Sequence, residues 1–124
     1  MSLRTPLAHV RHLGSAKDGT HHWWMQRVTA LALVPLTLWF VISLIGLLGA
    51  DHGAMVEWVS NPLTASLLIL LLLATFYHVV LGLQVVIEDY IQDRVARVAT
   101  LLLVQGLGFL LATIGIVSVL TLFF

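Results

Sequence analysis

The chain has 124 residues, 60% hydrophobic and 10% charged, with mean hydropathy +1.02 and a formal net charge of zero. A soluble domain carries about a quarter charged residues, so there are too few polar side chains here to cover a globule, and lipid must be the outer solvent. Balanced charge removes the electrostatic case for nucleic acid, and the lack of cysteine removes disulfides, iron–sulfur ligands and thiol nucleophiles.

The first 22 residues hold Arg4, Arg11, Lys17 and scattered histidines without an apolar core, so they read as an N-terminal segment and not as a cleavable signal. Three uncharged stretches follow, at 28–50, 58–87 and 98–124. Each exceeds the roughly 20 residues a helix needs to cross a hydrocarbon core of about 30 Å. A lone strand would leave its backbone unpaired in lipid, so the spans must be helices. They are expected near 23–49, 63–90 and 97–123. The whole chain, 1–124, thus reads as one all-α membrane domain running up-down-up. Asp51, His52 and Gly53 with Asn61 and Pro62 punctuate the first gap; Glu88, Asp89, Tyr90, Asp93, Arg94 and Arg97 mark the second.

Basic residues set the expected orientation. The N-terminal segment carries Arg4, Arg11 and Lys17, with Arg27 at its membrane edge, and the second connection carries Arg94 and Arg97. The 50–62 connection has neither Lys nor Arg. The positive-inside rule places the N-terminus and second connection in the cytoplasm, and the first connection and C-terminus outside. Trp23 and Trp24 suit the inner aromatic belt and Trp58 the outer one. Pro35 removes a backbone donor from the first helix and predicts a kink there. Gly108, Ala112 and Gly115 form a small-residue face suited to close helix contact.

His78 stands out in the second span. It lies twelve residues before Tyr90, about 18 Å from the inner surface at 1.5 Å per residue. An ionisable side chain at that depth is costly and marks a functional candidate; the plainer reading is a neutral histidine bonded to a neighbouring helix. Ala74 and Gly82, four residues to either side, share its helix face. Small residues there leave room for a flat porphyrin edge, and neutral imidazole is a common axial ligand of haem iron. The same stripe suits a tight helix crossing. No second histidine shares this depth: His52 is in the first connection, and His21 and His22 precede the first helix. A six-coordinate haem at His78 would therefore take its other ligand from another chain or another copy of this one.

Asp89 and Tyr90 end the second span at the cytoplasmic side. A phenol beside a carboxylate can hydrogen-bond a quinone carbonyl and relay a proton, or the pair can be an interfacial anchor with a solvated acid. Arg27, about one turn inside the first span, can meet an anionic cofactor group or reach lipid phosphate.

The run from His78 through Gly82 and Gln84 to Asp89 and Tyr90 resembles the His-x₃-Gly-x-Gln-x₄-Asp-Tyr segment of the D-type cytochrome b anchor of succinate dehydrogenase, respiratory complex II. The stretch 21–30, His-His-Trp-Trp-Met-Gln-Arg-Val-Thr-Ala, resembles that subunit's approach to its first helix, and the three spans match its architecture. The resemblance implies a bacterial inner-membrane protein that packs with a C-type anchor subunit into a helical bundle and holds an iron–sulfur subunit and a flavoprotein at the membrane. It implies that His78 is an axial ligand of haem b, with a histidine of the C-type anchor opposite. Tyr90 would donate a hydrogen bond to ubiquinone with Asp89 in support, and Arg27 and His21 would lie near the haem propionates. Some relatives carry an acidic residue where His22 stands. Two other readings compete: a transporter or proton-relay subunit using His78, and a structural anchor without haem.

Overall fold

The computed structural model describes the backbone of residues 4–124 and the side chains of residues 20–124. Arg4, Arg11 and Lys17, on which the expected orientation partly rests, lie outside the described side chains. Four helices follow one another: α1 (Arg4–Gly46), α2 (His52–Ser60), α3 (Pro62–Tyr90) and α4 (Arg94–Phe123). Among the described residues there are no strands. Three stretches, Thr20–Gly46 within α1, Pro62–Tyr90 and Arg94–Phe123, are long and apolar enough to cross a membrane. The expectation of an all-α integral membrane protein with three spans is borne out.

The helix ends differ from the expected ones for local reasons. α1 begins at Arg4, so residues 4–22 run on into the first span, and α1 continues through Pro35 to Gly46 rather than Gly49. A turn closes it, with Ala50 N–H donating to the Leu47 carbonyl at 2.9 Å and Gly49 at φ 82°, a left-handed conformation that favours glycine. The 50–62 connection holds a helix of nine residues, α2, where the sequence reading had a loop. Asp51 caps it by accepting from Ala54 N–H at 2.9 Å. Asn61 caps α3, accepting from Leu63 N–H at 2.9 Å with Pro62 in the first turn, and Asp93 caps α4 through Ala96 N–H at 2.9 Å, which moves its start from 97 to Arg94. Asp51, Asn61 and Asp93, three of the polar residues between the spans, are therefore caps, each satisfying an N–H that the first helical turn leaves free.

α3 packs on both α1 and α4, while the backbones of α1 and α4 do not approach one another among the described residues. The spans therefore form an open row with α3 in the middle. α2 lies across the end where α1 stops and α3 starts. Buried Val59 anchors it, Ser60 Oγ donates to the Leu122 carbonyl at 3.3 Å, and the Trp58 ring stacks on Trp39 of α1 with centroids 6.0 Å apart. The α2–α4 contact puts the C-terminus at that same end, which is the up-down-up course. Along α4 the small-residue face meets α3. A Cβ built on Gly108 would lie 2.5 Å from Val80 Cγ2, and one on Gly115 3.1 Å from Leu72. Among the described residues the buried apolar ones are few: Val59, Ala65, Leu68, Leu81 and Ile87. Most large hydrophobic side chains face outward, as a chain solvated by lipid and neighbouring helices requires.

Candidate functional site at the contact of the first and third helices

His78 sits two residues past Phe76, the midpoint of α3, and is half-buried. Its ring faces α1, where Nδ1 lies 2.9 Å from Thr29 Oγ1. Thr29 is 7% exposed, and its hydroxyl is also 2.7 Å from the Met25 carbonyl and 3.1 Å from the Gln26 carbonyl. Sequence reasoning missed Thr29. It lies in the stretch 21–30, and a threonine three residues after Gln26 on an apolar span was the available signal. No described residue hydrogen-bonds His78 Nε2, and that atom is not among the buried unpartnered ones.

Around this pair α1 presents a polar strip at helical spacing, His22, Gln26 and Thr29, toward α3. His22 Nε2 and Gln26 Oε1 are buried without a hydrogen-bond partner, whereas His21 is exposed. Of the two adjacent histidines, His22 is the inward one. The small residues flanking His78 are used differently. Ala74 lines an apolar groove of about 390 Å³ between α1 and α3 with Thr29, Ala32 and Tyr77. The space beside Gly82 belongs to Gln26, whose Nε2 would stand 3.7 Å from a Cβ there. At Gly82, then, the stripe serves the helix crossing; at Ala74 it leaves open room. A second groove, about 240 Å³, lies on the other side of α3 between Tyr77, Val80, Gln105 and Gly108.

The other expected site residues are at the end of α3 opposite α2. Asp89 and Tyr90 are exposed, Tyr90 to 81%. At 100° per residue Asp89 shares the face of His78, while Tyr90 is rotated about a third of a turn away. Gln84 Nε2 donates to Glu88 Oε1 at 3.2 Å on the same helix. Arg27 is exposed, with its guanidinium 5.2 Å from the Trp23 ring centroid, a cation–π contact at the edge of the span. Trp23 and Trp24 are 51% and 56% exposed there, as belt residues would be. Among the described residues no three His, Asp or Glu side chains converge.

Residues 1–116 match the family of succinate dehydrogenase/fumarate reductase transmembrane subunits. The chain belongs to that family. It is 33% identical to the succinate dehydrogenase hydrophobic membrane anchor subunit of Rickettsia bellii, over 94% of this chain and 93% of that one. Identity to the same-named subunit of Paracoccus denitrificans is 30%, over 77% of this chain and 74% of that one. The succinate dehydrogenase membrane anchor subunit of Reclinomonas americana is 27% identical over 76% and 81% of the two chains. The resemblance to a succinate dehydrogenase membrane anchor, drawn above from short motifs, is borne out across nearly the whole length.

Proposed function

We propose that this chain anchors the flavoprotein and iron–sulfur subunits of succinate dehydrogenase to the membrane beside a C-type anchor subunit. In this reading His78 is one axial ligand of haem b, and Tyr90 with Asp89 forms part of the site where ubiquinone is reduced. The observation that supports it most is the state of His78. Its imidazole lies midway along a span and is held through Nδ1, with no partner for Nε2 among the described residues. Family membership supplies the context in which such a donor is used.

A bis-imidazole haem, when bound, supplies a one-electron redox centre within the membrane. The chain's own residues supply the rest. The α1–α3 contact holds the His78 ring. Arg27 brings a fixed positive charge to the membrane edge, suited to a propionate. Tyr90 presents a phenol O–H to a quinone carbonyl at the exposed end of α3. Asp89, one residue away and open to water, is placed to hand on a proton as the carbonyl oxygen gains electron density.

Purification through a tag on this chain tests the reading. The expected result is recovery of a flavoprotein and an iron–sulfur protein together with a low-spin b-type spectrum that His78→Ala weakens or abolishes. The same partners without haem in the wild type would leave a structural anchor, and recovery of the chain without those partners would favour a relay or transport role.

A further inference from the structure

The Thr29 hydroxyl has more potential partners than its one proton can serve, and this decides the tautomer of His78; the inference rests on the haem-ligand reading above. A hydroxyl holds one proton and two lone pairs. Thr29 Oγ1 is 2.7 Å from the Met25 carbonyl, at the usual O–H···O distance, and a helical threonine commonly donates to the carbonyl four residues back. With the proton given to Met25, Oγ1 meets His78 Nδ1 at 2.9 Å as an acceptor, so Nδ1 must carry the ring hydrogen. A neutral imidazole has one N–H, and Nε2 is then a bare lone pair. In the opposite assignment the hydroxyl donates to Nδ1 and the ring hydrogen sits on Nε2, where no described residue accepts it. The first arrangement makes two hydrogen bonds and the second makes one. The bond given up in the second is the one from Thr29 to the Met25 carbonyl, and at a residue only 7% exposed water does not readily replace it.

We propose that Thr29 is a positioning residue for the iron ligand, fixing His78 in the Nδ1–H tautomer and orienting its ring. By accepting the Nδ1 hydrogen it also strengthens electron donation from Nε2, as hydrogen-bond acceptors behind ligand histidines generally do. A stronger donor favours the ferric state, so Thr29 lowers the midpoint potential and tightens haem binding.

The test compares Thr29→Val, Thr29→Ala and Thr29→Ser in the whole membrane complex with the wild type and His78→Ala. It reads haem per flavin, midpoint potential and the ferric low-spin resonance. Val and Ala are expected to raise the potential and to weaken haem retention about tenfold, while Ser, which keeps the hydroxyl, restores both. A packing role alone leaves the potential of the isosteric Val variant at the wild-type value, and that result overturns the proposal. Should the Val variant not assemble, Ala against Ser, which differ by one oxygen atom, decides it: equal potentials overturn it. A wild-type complex without low-spin haem, or an unaltered spectrum in His78→Ala, overturns the haem reading itself. Normal haem in the wild type with unshifted Thr29 variants removes only the tautomer role.

Discussion

Tyr90 is the residue at which two physical roles separate most cleanly. It is 81% exposed on this chain, a position that suits a ring resting in the membrane interface and equally a hydroxyl presented to a quinone. The two roles use different atoms. For an interfacial anchor, Tyr90→Phe keeps the ring and leaves turnover near normal. For a donor to a quinone carbonyl, the same change removes a hydrogen bond worth roughly 1–3 kcal/mol when its partner is left unsatisfied. Quinone reductase activity is then expected to fall about tenfold or more, since about 1.4 kcal/mol is a factor of ten in rate. Haem content and succinate oxidation by an artificial acceptor should stay at wild-type values. Normal turnover at subsaturating quinone would reduce Tyr90 to an anchor. His78 and the Asp89–Tyr90 pair were legible as candidates in the sequence because an ionisable group in an apolar run, and a polar pair ending one, are anomalies of local composition. Thr29 and His22 were not, because a threonine in a helix and one of two adjacent histidines carry no such anomaly until the facing helix is known.

At the scale of the elements, the α3–α4 contact depends on the absence of a side chain at Gly108. A Cβ there would stand 2.5 Å from Val80 Cγ2, inside any real contact distance, and valine has a single χ angle with which to move away. Gly108→Ala is therefore expected to destabilise the helix pair by about 1–3 kcal/mol, the usual cost of overpacking. It should lower the thermal inactivation temperature of the purified complex. Val80→Ala removes the opposing methyl groups, so the double variant should recover much of that loss. Additive losses in the double-mutant cycle would show that the two residues do not meet. The caps belong to this scale too. Asp51, Asn61 and Asp93 each accept from a first-turn N–H, and the Asp51–His52–Gly53 and Asn61–Pro62 signals are what would have disclosed α2.

The molecule as a whole is an open row of three helices with α3 in the centre and large apolar side chains turned outward on α1 and α4. An open row leaves α3 reachable from either side, which is where a second anchor subunit and lipid would complete the surroundings of His78. Its orientation is expected from the basic residues, with α2 on the outer side. His52 is exposed at the first turn of α2, and unlike Asp51 it caps no helix. Because the chain has no cysteine, His52→Cys gives a unique thiol. It should react with an impermeant reagent in intact spheroplasts. Labelling only after the membrane is ruptured would invert the topology and put Tyr90 on the wrong side for soluble succinate-oxidising subunits.

Membrane residence, the number of spans and the prominence of His78 follow from the sequence by itself. Each depends on the transfer energy of a short segment, a local property that neighbouring residues sum without reference to the fold. The neighbours of His78 are another matter. Which of His21 and His22 turns inward, that Gln26 occupies the space beside Gly82, and that Thr29 meets Nδ1 all depend on how α1 is rotated against α3. That rotation is set by small differences in packing spread along the whole contact, since hydrophobic surface offers little preference between one apolar face and another in lipid. Only the tertiary structure decides it, and with it which imidazole nitrogen meets Thr29.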